Sequence, residues 1–497
     1  MNTFALAGPR IARARRSPGL LLAIICVAQF MVILDVAVVN VALPSIRHSL
    51  GFSTVGLQWV VNAYTLTFAG FLMLGGRASD LLGRRRVLLS GVALFTLASL
   101  ACALSDSPTL LIAARSAQGI GGAIVSPASL AILTTSFAEG RERNRALGIW
   151  GAIGGIGAAS GALLGGLLTQ GLGWKWVFLI NIPVGLFVLA VGPRIVPEGR
   201  AQLGHRNFDL TGALLVTGGF IALVYGIVRS DTLGWGATGV LAPIAAGVAL
   251  LAGFVLVEGR FAKAPLVPLW IFKLRRLRTA NAVVFALYSG VFAMWFFLSL
   301  FLQGVLGDDA IATGFAFLPM TIAVAIAASR APRIVARIGA RATITIGMAC
   351  AALGLLLLSA LHPGASFVSV LPGGVFAAIG LGLALVPATI VAVQGVPVAA
   401  AGVASGLLNT SRLLGGALGL AVLTTIADTR THSALHAGVG QLQALTDGYG
   451  TALVVAAIIC GIGALAAAVL LREPAVSAQQ PLAAEPEPEQ VELAEAA

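Results

Sequence analysis

The chain has 497 residues, 58% of them hydrophobic and only 10% charged, with a mean hydropathy of +0.97. Soluble domains carry roughly 25% charged residues, so a water-soluble fold of this length is excluded. The net charge of +12 comes from 31 Lys and Arg residues set in short runs between apolar stretches. That distribution argues against a nucleic-acid face and for the flanks of membrane helices.

A bilayer core about 30 Å thick needs about 20 apolar residues in a helix, and fourteen such stretches are predicted. The first, 19–43, holds Asp35 within LDVAVVNVALPSI, Leu34 to Ile46. A charge at mid-bilayer costs about 2.5–3.5 kcal/mol on insertion scales. Asp35 is the one acid placed well inside any predicted span. It is therefore a candidate proton carrier, or else a buried polar group satisfied by a neighbouring helix. The basic segment 1–18 ahead of it resembles the start of a signal peptide. The apolar run is too long for one and contains Asp35, so an uncleaved first helix is expected.

After the second span, 57–76, comes GRASDLLGRRRVLLSG (Gly76–Gly91), a Gly-bounded turn with Asp80, Gly83, Arg84 and Arg85. Spans three and four are 87–104 and 109–133; the fourth carries Arg115, Gln118 and Gly119 in RSAQGIGGA. The fifth, 146–170, contains Gly157, Gly161, Gly165 and Gly166, a small-residue spacing suited to close helix packing in lipid. WKWVFLINIPVG (Trp174–Gly185) opens the sixth, 176–193, and spans seven to ten cover 209–228, 238–257, 279–303 and 311–329. Next comes SRAPRIVARIGAR (Ser329–Arg341), related to the Gly76 loop but lacking its acid. The last four spans are 342–361, 367–393, 403–426 and 449–471, the thirteenth containing GVASGLLNTSRLLGGALG and Arg412. Residues 473–497, rich in Pro, Ala and Glu, read as a disordered cytoplasmic tail.

With both termini inside, 25 Arg and Lys fall in cytoplasmic segments and four outside, while Arg115 and Arg412 lie within spans. A missed span would swap the sides of everything after it, so this bias supports both the count and the orientation in a bacterial plasma membrane. Cys26, Cys102, Cys350 and Cys460 show no CxxC spacing, the five histidines no ligand spacing, and no GxxxxGK[ST] occurs. No metal, redox centre or other cofactor is expected.

The Gly76 loop resembles the GxxxDxxGRR loop of the major facilitator superfamily, and its second version fits the internal duplication of that superfamily. LDVAVVNVALP, RSAQGIGGA, WKWVFLINIPVG and the thirteenth-span run are similar to signatures of the fourteen-span drug–proton antiporter family, across about residues 30–426. One departure is Ala162, where the family's fifth-helix motif GxxxGPxxGG has proline. Aligning the LLGG of the fifth and thirteenth spans puts Arg412 at the place of Ala162.

The resemblance implies an all-α integral membrane fold: a six-helix bundle at 19–200, two inserted helices and a cytoplasmic linker at 201–278, and a second six-helix bundle at 279–472. The substrate site would lie between the bundles, with access alternating as they rock. It implies proton carriage by Asp35, with Arg115 either assisting or acting as a structural hub. Gly76, Asp80, Gly83, Arg84 and Arg85 would form a cytoplasmic conformational latch, or a solvated turn. Gly157, Gly161, Gly165 and Gly166 would form the antiporter-motif helix. Candidate cavity residues are Asn40, Tyr64, Gln118, Tyr288, Trp295, Asn409 and Arg412. The expected activity is export of apolar, cationic drugs or antibiotics by a monomer in exchange for protons. Trading one proton for one monocation would move no net charge. An exporter of a self-made metabolite, lipid or siderophore is the alternative within transport. A membrane sensor would need an appended soluble domain, and a membrane enzyme would need clustered nucleophiles, paired acids or metal ligands; neither is seen in the sequence.

Overall fold

A computed structural model of the protein describes residues 18–138, 141–199, 209–262, 265, 267–394, 396 and 401–471. The expected N-terminal segment and the acidic tail lie outside the described residues. No strand occurs among those described. In chain order the α-helices are α1 (Pro18–Leu50), α2 (Thr54–Leu57), α3 (Trp59–Leu82), α4 (Arg84–Ala103), α5 (Pro108–Ser136) and α6 (Arg141–Gly171). There follow α7 (Trp176–Leu179), α8 (Asn181–Ile195), α9 (Leu210–Leu233), α10 (Thr238–Leu256) and α11 (Arg275–Gly304). The last are α12 (Ala310–Ser359), α13 (Phe367–Val393), α14 (Ala401–His436) and α15 (Gln441–Leu470).

Helix starts follow ordinary capping chemistry. Ser107 accepts from the Leu110 amide ahead of Pro108, and Asp209 and Asp309 cap α9 and α12, each relieving an orphan amide of the first turn. Among the described residues, twelve helices are long and apolar enough to cross a membrane. The fourteen expected are matched approximately. The 50-residue α12 is two helices joined at Gly339 (φ 81°, ψ 163°), merging predicted spans ten and eleven. The 31-residue α6 covers the fifth predicted stretch. The sixth span is broken once, at Ile180 between α7 and α8.

Gly339 has a counterpart in Gly83, where α3 ends and α4 begins at φ 109°. Both fall in the left-handed region that glycine alone adopts without steric cost, and both sit in the paired loop motifs. The duplication seen in sequence is thus also a duplication of backbone geometry.

Helices α1, α3, α4, α5, α6 and α8 pack into one bundle, and α11 to α15 into another. Helix α9 lies along the seam where α3 meets α14, and α10 packs on α9, exposing Leu241, Val248 and Val255 outward. The bundles join firmly at the end away from Pro18 and Leu471. There Val38–Ile46 of α1 meet Phe296–Leu302 of α11 and the start of α12 in an apolar core that continues through the second bundle. Toward the end that holds Pro18, the first bundle has its own separate core. The two bundles are therefore closed against each other at the end away from Pro18.

Helix α6 explains the seal. A Cβ at Gly166 would stand 2.5 Å from the Ala310 carbonyl, and one at Gly314 would stand 2.5 Å from the Ala162 carbonyl. Backbone lies on backbone, as small residues permit. Gln170 adds a polar clasp, donating to Asp309 Oδ2 at 3.0 Å and accepting from the Ile311 amide at 3.2 Å. Ser299 and Gln303 of α11 donate to the carbonyls of Asn40 and Val41 at 2.7 and 2.9 Å.

Candidate functional site

Asp35 is completely buried at the middle of α1. Its Oδ2 accepts from Arg115 Nη1 at 2.6 Å. Its Oδ1 accepts from Gln118 Nε2 at 2.7 Å and from Asn181 Nδ2 at 3.0 Å. Four helices thereby converge on one carboxylate: α1 carries it, α5 supplies Arg115 and Gln118, α8 supplies Asn181, and α4 closes the ring. From α4, Ser99 Oγ accepts from Gln118 at 2.6 Å and Asn181 at 3.2 Å, and the Cys102 thiol donates to Gln118 Oε1 at 3.7 Å. An unpaired charge in such a place would neutralise or unfold the site; here every neighbour is a donor or a cation.

Arg115 is held as tightly as its partner. Its Nε donates to the Val60 carbonyl at 2.9 Å and Nη1 also reaches Gln118 Oε1 at 2.7 Å. The guanidinium lies over the Tyr64 ring, 4.4 Å from its centroid, with Phe178 at 5.8 Å, so π faces cover the cation where water is absent. The Arg115 side chain is 2% exposed, so the pair is sealed from solvent in this conformation. Removing either member of such a pair costs about 3–5 kcal/mol.

Two residues expected in the substrate cavity belong to this cluster instead. Gln118 is fully buried and bridges Asp35 to α4, and Tyr64 is buried beneath Arg115. Asn40 bonds to its own helix at the Val36 carbonyl, 3.1 Å away. Trp295 stands edge-on to Phe317 with ring centroids 5.1 Å apart. Tyr288 lies 5.5 Å from the Arg412 guanidinium, and Asn409 is one turn before Arg412 on α14.

The glycine row of α6 faces the helix that bears Asp35. Cβ atoms at Gly157, Gly161 and Gly165 would run into Ile33, Ala37 and the Val38 carbonyl of α1, while Gly166 faces α12. The row thus links the α1 segment around Asp35 to the second bundle. With Ala162 in place of proline, α6 runs unbroken through this region.

The Gly76 loop is anchored inside its own bundle. Arg85 donates to the Pro193 carbonyl at 3.1 Å and pairs with Glu198 at 3.4 Å, and Arg86 pairs with Glu198 at 3.7 Å. The Arg84 amide donates to the Gly199 carbonyl at 2.9 Å. The anchors of the arginines are thus the end of α8 and Glu198. Asp80 lies at the end of α3, and its side chain is outside what the structure describes. A Cβ added at Gly76 would meet only Pro127, at an ordinary 3.6 Å, and the close approach of α3 to α5 falls one residue earlier, at Gly75.

Asn181 and Ser99 complete the site without having been picked out as site residues. The signal for Asn181 was its place in WKWVFLINIPVG, just past the α7–α8 break that turns it inward. Ser99 gave none, being one small polar residue in an apolar helix.

Residues 25–420 match the Major Facilitator Superfamily. The chain is 42% identical over 441 residues to the cephamycin export protein CmcT of Amycolatopsis lactamdurans, covering 87% of this chain and 88% of the relative. It is 40% identical over 415 residues to the puromycin resistance protein pur8 of Streptomyces alboniger, covering 82% of each. Among solved structures, the POT family transporter PepTSo superposes with a TM-score of 0.67 at 15% identity, covering 90% of this chain and 98% of that one. The chain belongs to the Major Facilitator Superfamily, within its antibiotic- and multidrug-efflux family.

Proposed function

We propose that this protein is a proton-coupled antiporter of the plasma membrane that exports drug-like small molecules by alternating access. With the start of α1 and the end of α15 at the cytoplasmic face and the sealed end outward, we read this conformation as inward-facing. The division into bundles at 19–200 and 279–472 around an inserted helix pair is the frame for that motion. A monomer suffices, because the site lies within one chain.

The observation that carries the reading is the Asp35–Arg115 pair, sealed among four helices and backed by the glycine row of α6. While ionised, Asp35 holds Arg115, Gln118 and Asn181 in one network. A proton arriving from outside adds to a carboxylate oxygen and removes the charge that Arg115 pairs with. The carboxyl then offers a donor where the network had an acceptor. Its bonds to the amides rearrange and α1 loosens from α5 and α8. Because α6 presses on α1 through Gly161 and on α12 through Gly166, a shift of α1 alters the contact between bundles. Release of the proton to the cytoplasm restores the pair. Each protonation state thus favours one packing of the bundles, which is what coupling requires.

The test is transport in liposomes containing the purified protein, with cephamycin and puromycin as substrates and an imposed pH gradient. Wild type should move at least one of them against its gradient and move protons the other way. Asp35→Asn should retain binding and lose the proton dependence. Proton-driven transport surviving in Asp35→Asn would refute the mechanism.

A further inference from the structure

The second bundle carries a cation with no counter-ion among the described residues. Arg412 is half-buried on α14, within a segment apolar enough to span the membrane. Among the described residues its only polar or π partner is the Tyr288 ring, 5.5 Å away. The Asn409 side chain likewise has no hydrogen-bond partner among them. Their direction follows from their neighbours. Ser411 donates to Asn281 of α11 at 2.7 Å, and Gly415 presses on Phe285, so these two face α11. Leu413 packs against apolar side chains of the first bundle. With 3.6 residues per turn, Arg412 lies between those two faces, opening on the space between the bundles, with Asn409 beside it.

No acid with a described side chain is placed to answer this charge. Asp35 is already held by Arg115 and two amides. Every other acid with a described side chain stands in a turn or within about two helical turns of a helix end, as Asp428 beside His432 does. A half-buried guanidinium without a counter-ion carries a desolvation cost that an incoming anion offsets. Its planar fork suits a carboxylate, and the amide of Asn409 offers one more donor.

We propose that Arg412, braced on Tyr288 and flanked by Asn409, is an anion-recognising subsite of the central cavity, and that the exported molecules carry a carboxylate on an apolar body. The inference rests on the export reading above and narrows its substrate class. It also reverses the substrate charge that the family resemblance implied: Asp35 is held by Arg115 and two amides, and the open charge is positive.

Three matched probes test it: pyrenebutyric acid, pyrenebutanol and pyrenebutylamine. Their binding to purified protein in phosphatidylcholine nanodiscs is followed by energy transfer from tryptophan. Wild type should bind the acid at least about tenfold tighter than the amine. Arg412→Gln should erase that preference while leaving the alcohol unchanged, and Arg412→Lys should keep part of it. Equal or tighter binding of the amine by wild type overturns the proposal, as does an Arg412→Gln variant that weakens all three probes alike, the mark of a structural role. Discs containing phosphatidylglycerol form a further arm. Abolition of acid binding there would assign the subsite to a lipid headgroup and overturn the substrate reading. Proton-driven uptake of the same probes separates the two levels. Transport of the amine alone defeats this inference and spares export, whereas binding of the acid with no transport of any probe defeats export and spares the subsite.

Discussion

A Cβ added at Gly161 of α6 falls on the side chain of Ala37, two residues beyond Asp35 on α1. Helices α1 and α6 are therefore as close as backbones allow at the level of Asp35. Gly161→Val should force them apart, destabilising the protein by about 1–3 kcal/mol as overpacking does and abolishing transport. Gly154→Ala, on the same helix but with nothing within 4 Å of the new methyl, should be neutral in both respects. Thermal unfolding in detergent and liposome transport, measured side by side, check the pair.

Asp35→Asn leaves Arg115 buried without a counter-ion, which should cost about 3–5 kcal/mol. Arg115→Gln strands the carboxylate and should cost a similar amount. The double variant removes both charges, so its loss should be well below the sum of the single losses, giving a large coupling energy between the two positions. Proton coupling should be absent from the double variant even though its stability recovers. Additive losses of stability would show that the pair is not an energetic unit.

Asp35 and Arg115 were each legible in the sequence because charge within an apolar run is rare and expensive, whereas their pairing was not. The helices themselves were legible for the same reason, and the repeat of the Gly76 loop foretold the matching backbone turns at Gly83 and Gly339. Neutral polar residues were not. Ser99 resembles any small packing residue, while Gln118 reaches the carboxylate and Tyr64 covers Arg115 only because α5 and α3 approach at a particular rotation. Glu198 lies beyond the sixth span, where an acid is unremarkable until the fold brings Arg85 and Arg86 to it. The open charge of Arg412 could not be read either, since being unpaired depends on what all the other helices fail to provide.

Gly83 and Gly339 turn the chain between successive helices at φ 109° and 81°. Alanine at either site would pay roughly 1–3 kcal/mol for a backbone conformation that a side chain disfavours. Gly83→Ala and Gly339→Ala should each lower stability by that order. Gly236→Ala, which has open space around it and no positive φ, should be silent. Unfolding midpoints of the three variants decide the matter.

Asp309 is held below its ordinary carboxylate value of 3.8 by the hydrogen bond from the Ala312 amide and then by that from Gln170. A lowered value means that the contribution of these bonds is present above 3.8 and is lost only as pH falls through the still lower folded value. The Gln170–Asp309 clasp should therefore persist across physiological pH, leaving pH dependence to other groups. Asp309→Asn should leave the pH profile of transport unchanged while weakening the outer seal, seen as faster labelling of a cysteine introduced at Gln303. A shifted pH profile in this variant would make the clasp part of the proton pathway.

Substrate charge sets which force drives the cycle. One proton exchanged for one monocation moves no net charge, so the membrane potential contributes nothing. One proton entering as one carboxylate leaves carries two charges across, and each is worth about 2.3 kcal/mol per 100 mV. An interior-negative potential of that size then contributes about 4.6 kcal/mol to export. With Asp35 as the one coupling acid and Arg412 reading an anion, a potassium diffusion potential set by valinomycin should by itself drive pyrenebutyrate movement in liposomes at equal pH. The same potential should fail to drive pyrenebutylamine. No response of the acid to voltage would mean either that it crosses protonated, in which case raising the pH on both sides should restore the response, or that Arg412 does not read its charge.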